Sequence, residues 1–355
     1  MINNNRREKI IIVDFGSQVT KLIARRIREY RVFSEILTIN QFCNLKDFKN
    51  IKGIILSGGP STVTKKSHPN IPSYVFTKKI PILGICYGLQ LISKNLGGKV
   101  KSLKKRREFG RATLTQIKSS KLTKNFYKGK KAVVWMSHQD AVYKLPKKFV
   151  TVASTNNSLF TIIENTEKKI YGIQFHPEVT HTVNGKILIK NFIFSICKIK
   201  KNWKVESQKK EIINLIKQKI KNDHVICALS GGVDSSVVAL LIHRAIKRRL
   251  KCIMVDTGLM RKNEFKYTYK ILKDKYNLNV KLINASKIYY KKLKNVYDPE
   301  KKRKIIGSLF VKIFEKEARK NKKIKYLAQG TLYPDIIESR SVSGSNTAVI
   351  KSHHN

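Results

Sequence analysis

The stretch Val225-Ile226-Cys227-Ala228-Leu229-Ser230-Gly231-Gly232-Val233-Asp234-Ser235-Ser236 joins an apolar run to a Gly-Gly turn rich in hydroxyls. Val225 to Leu229 reads as a short buried strand, and Val237-Val238-Ala239-Leu240-Leu241-Ile242 continues as a helix. A strand, a glycine turn and a helix N-terminus in this order suit phosphate. The glycines let backbone N–H groups approach, the serines donate, and the helix dipole favours an anion. Asp234 inside the turn would repel that anion unless both share a cation, so the pattern points to Asp234 on a Mg²⁺ held jointly with phosphates. The plainer alternative is a glycine-rich helix start in which Asp234 and the serines are caps.

Working outward, Ile212, Ile213, Leu215, Ile216 and Ile220 give an amphipathic helix leading into that strand. Downstream, Lys251-Cys252-Ile253-Met254-Val255-Asp256-Thr257-Gly258 reads as the next strand, ending in a carboxylate placed for ribose hydroxyls or for the turn itself. Upstream, Lys198-Ile199-Lys200-Lys201-Asn202-Trp203 turns polar and loses its period. That change predicts a junction between domains at 1–200 and 201–355, and the 355 residues suffice for two cores.

The first half alternates apolar strands with helices: Ile10–Val13, Val32–Ile39, Gly53–Leu56 and Pro81–Ile85, with a helical stretch to about Tyr30 and a helix-like Tyr74–Lys78. This alternation predicts a parallel sheet with ligands at the carboxyl ends of its strands. Two motifs fall there. Gly84-Ile85-Cys86-Tyr87-Gly88 has the spacing of a strand-to-helix nucleophile elbow, with flanking glycines that relieve crowding and a helix start that favours thiolate. A buried structural cysteine is the alternative. Gly58 and Gly59 end a neighbouring strand and offer N–H groups to an oxyanion. In Gly172-Ile173-Gln174-Phe175-His176-Pro177-Glu178, extended backbone would turn His176 and Glu178 the same way, so that a carboxylate orients an imidazole.

Composition excludes several classes. Met1 to Lys9 is polar and no apolar run reaches membrane-spanning length, so neither a signal peptide nor a membrane helix is expected. Five cysteines without C-x-x-C spacing argue against a disulfide framework and a Cys-rich zinc site, and predict a reducing cytoplasm. The net charge of +51 invites nucleic acid, yet the lysines are spread evenly among Ile and Asn and form no stripe. The expectation is nonspecific, salt-sensitive association with polyanions.

Ser57-Gly58-Gly59-Pro60, Gly84-Ile85-Cys86-Tyr87-Gly88-Leu89-Gln90 and Phe175-His176-Pro177-Glu178 resemble the class I glutamine amidotransferases. The resemblance implies a flavodoxin-like domain with Cys86 as nucleophile, His176 as general base and acid, and Glu178 as its orienter. Gly58 and Gly59 would border the oxyanion hole, and Gln90 would lie in the glutamine pocket. Trp135-Met136-Ser137-His138-Gln139-Asp140 resembles a stretch lining that pocket, although Gln139 stands where Gly is usual. Ser137, His138 and Asp140 carry over from it, with His138 and His181 open to a purely structural role. Ser230 to Ser236 with Val255-Asp256-Thr257-Gly258-Leu259 resembles the ATP pyrophosphatases, so the fold class is α/β with two doubly wound domains, the second an adenine-nucleotide-binding one.

That order of domains is similar to the glutamine-hydrolysing GMP synthase family. Asp298-Pro299-Glu300, Leu327-Ala328-Gln329-Gly330-Thr331-Leu332-Tyr333-Pro334-Asp335 and Ile350-Lys351-Ser352-His353-His354-Asn355 agree with it. The implied substrates are glutamine, ATP and xanthosine monophosphate. Ser230, Gly231, Gly232, Val233, Asp234, Ser235 and Ser236 would hold pyrophosphate, with Mg²⁺ on Asp234, Asp256 near the adenosine, and Lys351 and His353 in a lid. The resemblance also implies a homodimer formed through a third domain. The sequence ends at Asn355 inside the lid motif, so that domain is expected to be missing and GMP synthesis by this chain weak. A shortened gene, a separate completing chain and an incomplete sequence all stay open. Two other functions also stay open: an RNA-modifying ATP pyrophosphatase, and a relic retaining only glutaminase activity.

Overall fold

The computed structural model describes residues 7–102, 107–261 and 263–330, and the chain divides into two compact units, Met1–Lys204 and Val205–Asn355. The first unit opens with β1 (Lys9–Asp14), α1 (Thr20–Glu29), β2 (Ser34–Thr38), α2 (Ile39–Cys43) and β3 (Ile51–Leu56). A 3-10 turn (Ser73–Thr77), β4 (Ile82–Ile85) and α3 (Tyr87–Asn95) follow. Next come β5 (Lys99–Ser102), β6 (Glu108–Gln116), β7 (Lys131–His138), β8 (Asp140–Lys144), β9 (Val150–Ser154), β10 (Ile162–Asn165) and β11 (Ile170–Ile173). The unit closes with α4 (Gly185–Lys190), which runs into a π-helical turn, Asn191–Ile196.

Why β1 is central follows from its side chains. Ile10 and Ile12 enter one apolar cluster with Ile23, Ile27 and Phe192, while Ile11 and Val13 enter another with Phe42, Leu89 and Ile92. A period of two sends alternate residues to opposite faces, and a strand apolar at every position must be covered on both. Full burial stabilises each such isoleucine by about 1.5–3 kcal/mol. Thr38 ends β2 short of Ile39 because it forms a capping box with Gln41 and starts α2. The sequence pattern, which extends this strand through Ile39, misses that box. The helix-like stretch at Tyr74 is a short 3-10 helix, Ser73–Thr77.

The nine-stranded sheet runs β2-β1-β3-β4-β11-β10-β9-β6-β7. Pairings from β2 to β11 are parallel, but those from β11 through β10, β9, β6 and β7 are antiparallel. The expectation of a parallel sheet therefore describes only one half of it. β6 and β7 read as half-exposed alternations, the pattern of an antiparallel extension with one wet face. A separate pair, β5 with β8, is also antiparallel. Asn202 ties the end of this unit down, accepting from Phe33 N at 2.9 Å and donating to Glu8 O at 2.7 Å.

The second unit contains α5 (Val205–Ile220), β12 (His224–Leu229), α6 (Val233–Ile246), β13 (Leu250–Asp256) and α7 (Glu264–Lys270). A 3-10 turn (Lys247–Arg249), a π-helical turn (Ile271–Lys275), β14 (Val280–Asn284), α8 (Ser286–Leu293), α9 (Pro299–Arg319) and β15 (Ile324–Ala328) complete its described elements. Its sheet is wholly parallel, in the order β14-β13-β12-β15. Val225, Cys227 and Leu229 pack on one side and Ile226 on the other, so both faces are covered. The chain moves from β12 outward to β14 and then returns to the far side of β12. That reversal puts the crevice of a doubly wound sheet between the carboxyl ends of β12 and β15. Among the described residues, no helix is long and apolar enough to cross a membrane.

Candidate active sites

In the first unit the carboxyl ends of β3, β4 and β11 converge. Cys86 follows β4 and caps α3 with φ 51° and ψ −102°, a left-handed conformation rare for a residue with a side chain. Its N–H donates to Ile173 O at 2.8 Å and its carbonyl accepts from Gln90 N at 3.2 Å, which fixes the elbow from both sides. The glycines around it are sterically required. A Cβ on Gly84 would sit 2.5 Å from the Gly88 backbone, and one on Gly88 2.3 Å from Leu56 O.

His176 and Glu178 meet, with Nδ1 to Oε1 at 2.8 Å. They do so in the loop after β11 and not in extended strand, so the expected contact arises by a different route. That loop is strapped by groups the sequence did not single out. His176 N donates to Trp135 O at 3.1 Å, Thr182 Oγ1 donates to His176 O at 2.6 Å, and Arg26 Nε donates to Glu178 O at 3.0 Å. Burial works against the imidazolium, but the Glu178 carboxylate and the Cys86 sulfur outweigh it and hold His176 well above the ordinary histidine range. Glu178 is fully buried, and its Oε2 has no partner among the described residues.

Gly58 and Gly59 have different surroundings. A Cβ on Gly58 would lie 3.1 Å from His176 Cε1 and 3.8 Å from Cys86 Cβ, so its bare backbone borders the Cys–His pair. A Cβ on Gly59 would instead strike Phe15 O at 2.6 Å. Gln90 is buried on α3 and its Nε2 donates to Asp140 O at 2.7 Å. Ser137 is exposed, and its carbonyl accepts from Cys86 Sγ at 3.7 Å. His138 is buried, with Nε2 3.1 Å from Glu108 Oε2 and Nδ1 3.1 Å from Asp140 O. Asp140 Oδ2 accepts from Thr62 Oγ1. Glu108, which also accepts from Thr155 Oγ1 at 2.8 Å, carried no sequence signal. Gln174 did: it is a polar residue within an apolar run, and its Nε2 lies 3.7 Å from Cys86 Sγ.

In the second unit, Ser230 to Ser236 lies at the reversal point of the sheet. Gly231 has φ +87° and Gly232 precedes the first turn of α6. Ser235 Oγ accepts from Ser230 N at 3.3 Å and Ser236 Oγ donates to Gly232 O at 2.8 Å, which holds the turn while Gly232, Val233 and Asp234 stay exposed. Asp256 ends β13 and its Oδ1 accepts from Gly258 N at 2.9 Å, a turn contact. Gly330, part of the Leu327–Asp335 stretch but given no role from sequence, lies two residues past the end of β15 across the crevice. A Cβ there would lie 2.9 Å from Ser235 N and 3.0 Å from Asp234 C. Arg303 pairs with Glu300 at 2.7 Å. Lys351 and His353 lie outside the described residues.

Among the described residues no cluster of three or more His, Cys, Asp or Glu side chains is poised for a metal. A single exposed carboxylate such as Asp234 beside a phosphate turn nonetheless suits Mg²⁺, which takes one or two carboxylates and completes its shell with phosphates and water.

The glutamine amidotransferase class-I family matches residues 11–196, and the NAD synthase family matches residues 205–328. GMP synthase (glutamine-hydrolyzing) of Brachyspira hyodysenteriae is 49% identical over 352 residues, covering 99% of this chain and 68% of that protein. The protein of the same name from Clostridium botulinum is 47% identical, covering 98% of this chain and 67% of the relative. That of Vibrio vulnificus is 45% identical, covering 100% and 68%. The chain thus spans about two thirds of the length of these relatives. An elbow cysteine facing a His–Glu pair in one unit, a Gly-Gly turn at the sheet reversal in the next, and near-half identity across the whole chain have one common explanation: the chain belongs to the glutamine-hydrolysing GMP synthase family.

Proposed function

We propose that this protein makes GMP from xanthosine monophosphate, ATP and glutamine, with glutamine hydrolysis in the first unit supplying the ammonia. The Cys86 thiolate attacks the side-chain amide carbon of glutamine, and negative charge develops on its oxygen beside the Gly58 and Gly59 backbone. His176, oriented by Glu178, passes a proton to the departing ammonia and then takes one from the water that hydrolyses the thioester, releasing glutamate. Gln90, Ser137, His138 and Asp140 shape the glutamine pocket. What supports this half is the His176–Glu178 contact at 2.8 Å beside a left-handed Cys86.

In the second unit ATP adenylates the C2 oxygen of xanthosine monophosphate and pyrophosphate departs. An amide-like carbonyl oxygen leaves poorly, whereas AMP leaves readily when ammonia attacks C2. Ser230 to Ser236 and the start of α6 offer N–H and hydroxyl donors to the phosphates, and Asp256 lies toward the adenosine. Asp234 would hold Mg²⁺, which when bound neutralises phosphate charge. Lys351 and His353 act in a lid, in keeping with the resemblance of their motif.

Cys86→Ala tests this division of labour. Glutamate release is expected to fall to background, while GMP formation persists when an ammonium salt replaces glutamine. Glutamate release at the unmutated rate in Cys86→Ala would sink the proposal.

A further inference from the structure

Gln174 lies directly after β11, and its side chain is fully buried. The backbone holds it closely: Gln174 N donates to Thr161 O at 2.9 Å, and the preceding Ile173 O accepts from Cys86 N at 2.8 Å. The carboxamide is thereby locked against the elbow. Its Nε2 donates to Cys86 Sγ at 3.7 Å, while its Oε1 has no partner among the described residues. Burying an amide with half its hydrogen-bonding capacity unused is costly, and an apolar side chain of similar volume would pack there at less cost. Packing alone therefore does not account for a carboxamide at this position.

The sulfur has two polar contacts besides His176, and they respond oppositely to ionisation. As a thiol, Cys86 donates to Ser137 O at 3.7 Å. Once the proton has passed to His176, that carbonyl faces a negative atom and the contact turns unfavourable. The Gln174 N–H contact strengthens instead, because a hydrogen bond to a charged acceptor is stronger than one between neutral groups. We propose that Gln174 donates to the Cys86 thiolate, stabilising the nucleophile before attack and the departing sulfur when water breaks the thioester. In the second step the carbon–sulfur bond breaks as the water oxygen bonds the acyl carbon, and the electron pair returns to a sulfur that the same N–H faces. The inference rests on Cys86 being the nucleophile.

The test is Gln174→Met, which keeps volume and removes the donor. Alkylation of Cys86 by iodoacetamide is expected to shift to higher pH and to slow about tenfold at neutral pH. The kcat of glutamine hydrolysis falls about tenfold with KM within about twofold. A purely packing role would lower thermal stability without moving the alkylation profile, so an unchanged profile in the folded variant overturns the proposal. Should Gln174→Met not fold, the unmutated chain decides. With side-chain-amide ¹⁵N labelling, the Gln174 Nε2–H resonance moves as Cys86 ionises and stops responding once Cys86 is alkylated; no response to ionisation overturns it. Loss of glutamate release in Cys86→Ala with an unmoved Gln174→Met profile would reject this inference alone. Glutamate release surviving in Cys86→Ala would reject the glutaminase assignment beneath it.

Discussion

His176 carries an opposition between burial and charge. Burial disfavours the imidazolium, but Glu178 at 2.8 Å and the Cys86 sulfur prevail, so the ring titrates well above its ordinary 6.5. The charged ring therefore persists as pH rises past about 6.5 and is lost only as pH passes the raised folded value. Whatever stability the pair adds follows the same course: fully present below the unfolded value, lost through the folded one. Glu178→Gln keeps the shape and removes the charge that lifts the ring. The alkaline limb of kcat/KM for glutamate release should then move to lower pH, and a pH–rate profile measures it. An alkaline limb unmoved by the substitution would mean that Glu178 orients the ring without setting its protonation.

Among elements, the segment just after β15 meets the start of α6 at Gly330. The reversal between β12 and β15 opens a crevice at the Ser230–Ser236 turn, and Gly330 lets the two chain segments approach closely. A methyl group on Gly330 would press on Ser235 N and Asp234 C, both rigid backbone atoms, so the turn must shift. Gly330→Ala should lower pyrophosphate release from ATP and xanthosine monophosphate by about 10²-fold, the scale of a misplacement near 1 Å. Glutamate release, which depends on the other unit, serves as the folding control and should be unchanged. Pyrophosphate release at the unmutated rate would show that the turn tolerates displacement. In the antiparallel half of the first sheet, pairing is set by tertiary structure. β10 and β11 form a local hairpin, but β6 also pairs with β9 across Thr115 and Ser154, far apart in sequence. A window along the chain holds no trace of that pairing.

Across the whole molecule, charge and pattern lead to different conclusions. A net charge of +51 makes polyanion binding an expected physical property, and its diffuse distribution argues against a built nucleic-acid site. Affinity for mixed-sequence DNA should show no base preference and fall about 10³-fold between roughly 50 and 200 mM salt, as counterion release dictates. A complex that survives high salt with sequence preference would contradict this.

The sequence by itself determined the two α/β halves, the elbow at Cys86 and the turn at Ser230–Ser236, because glycine spacing and apolar runs are local properties that short-range sterics enforce. It also placed His176 and Glu178 two residues apart, close enough to pair in many backbone shapes. Only the tertiary structure decided that a side chain at Gly58, and not one at Gly59, would meet the Cys–His pair, that His138 is spoken for by Glu108, and that Gln174 and Gly330 stand against the Cys86 elbow and the Ser230–Ser236 turn. Those contacts join residues separated by tens of positions. Whether a side chain reaches its distant partner depends on strand order and register, which no local preference encodes.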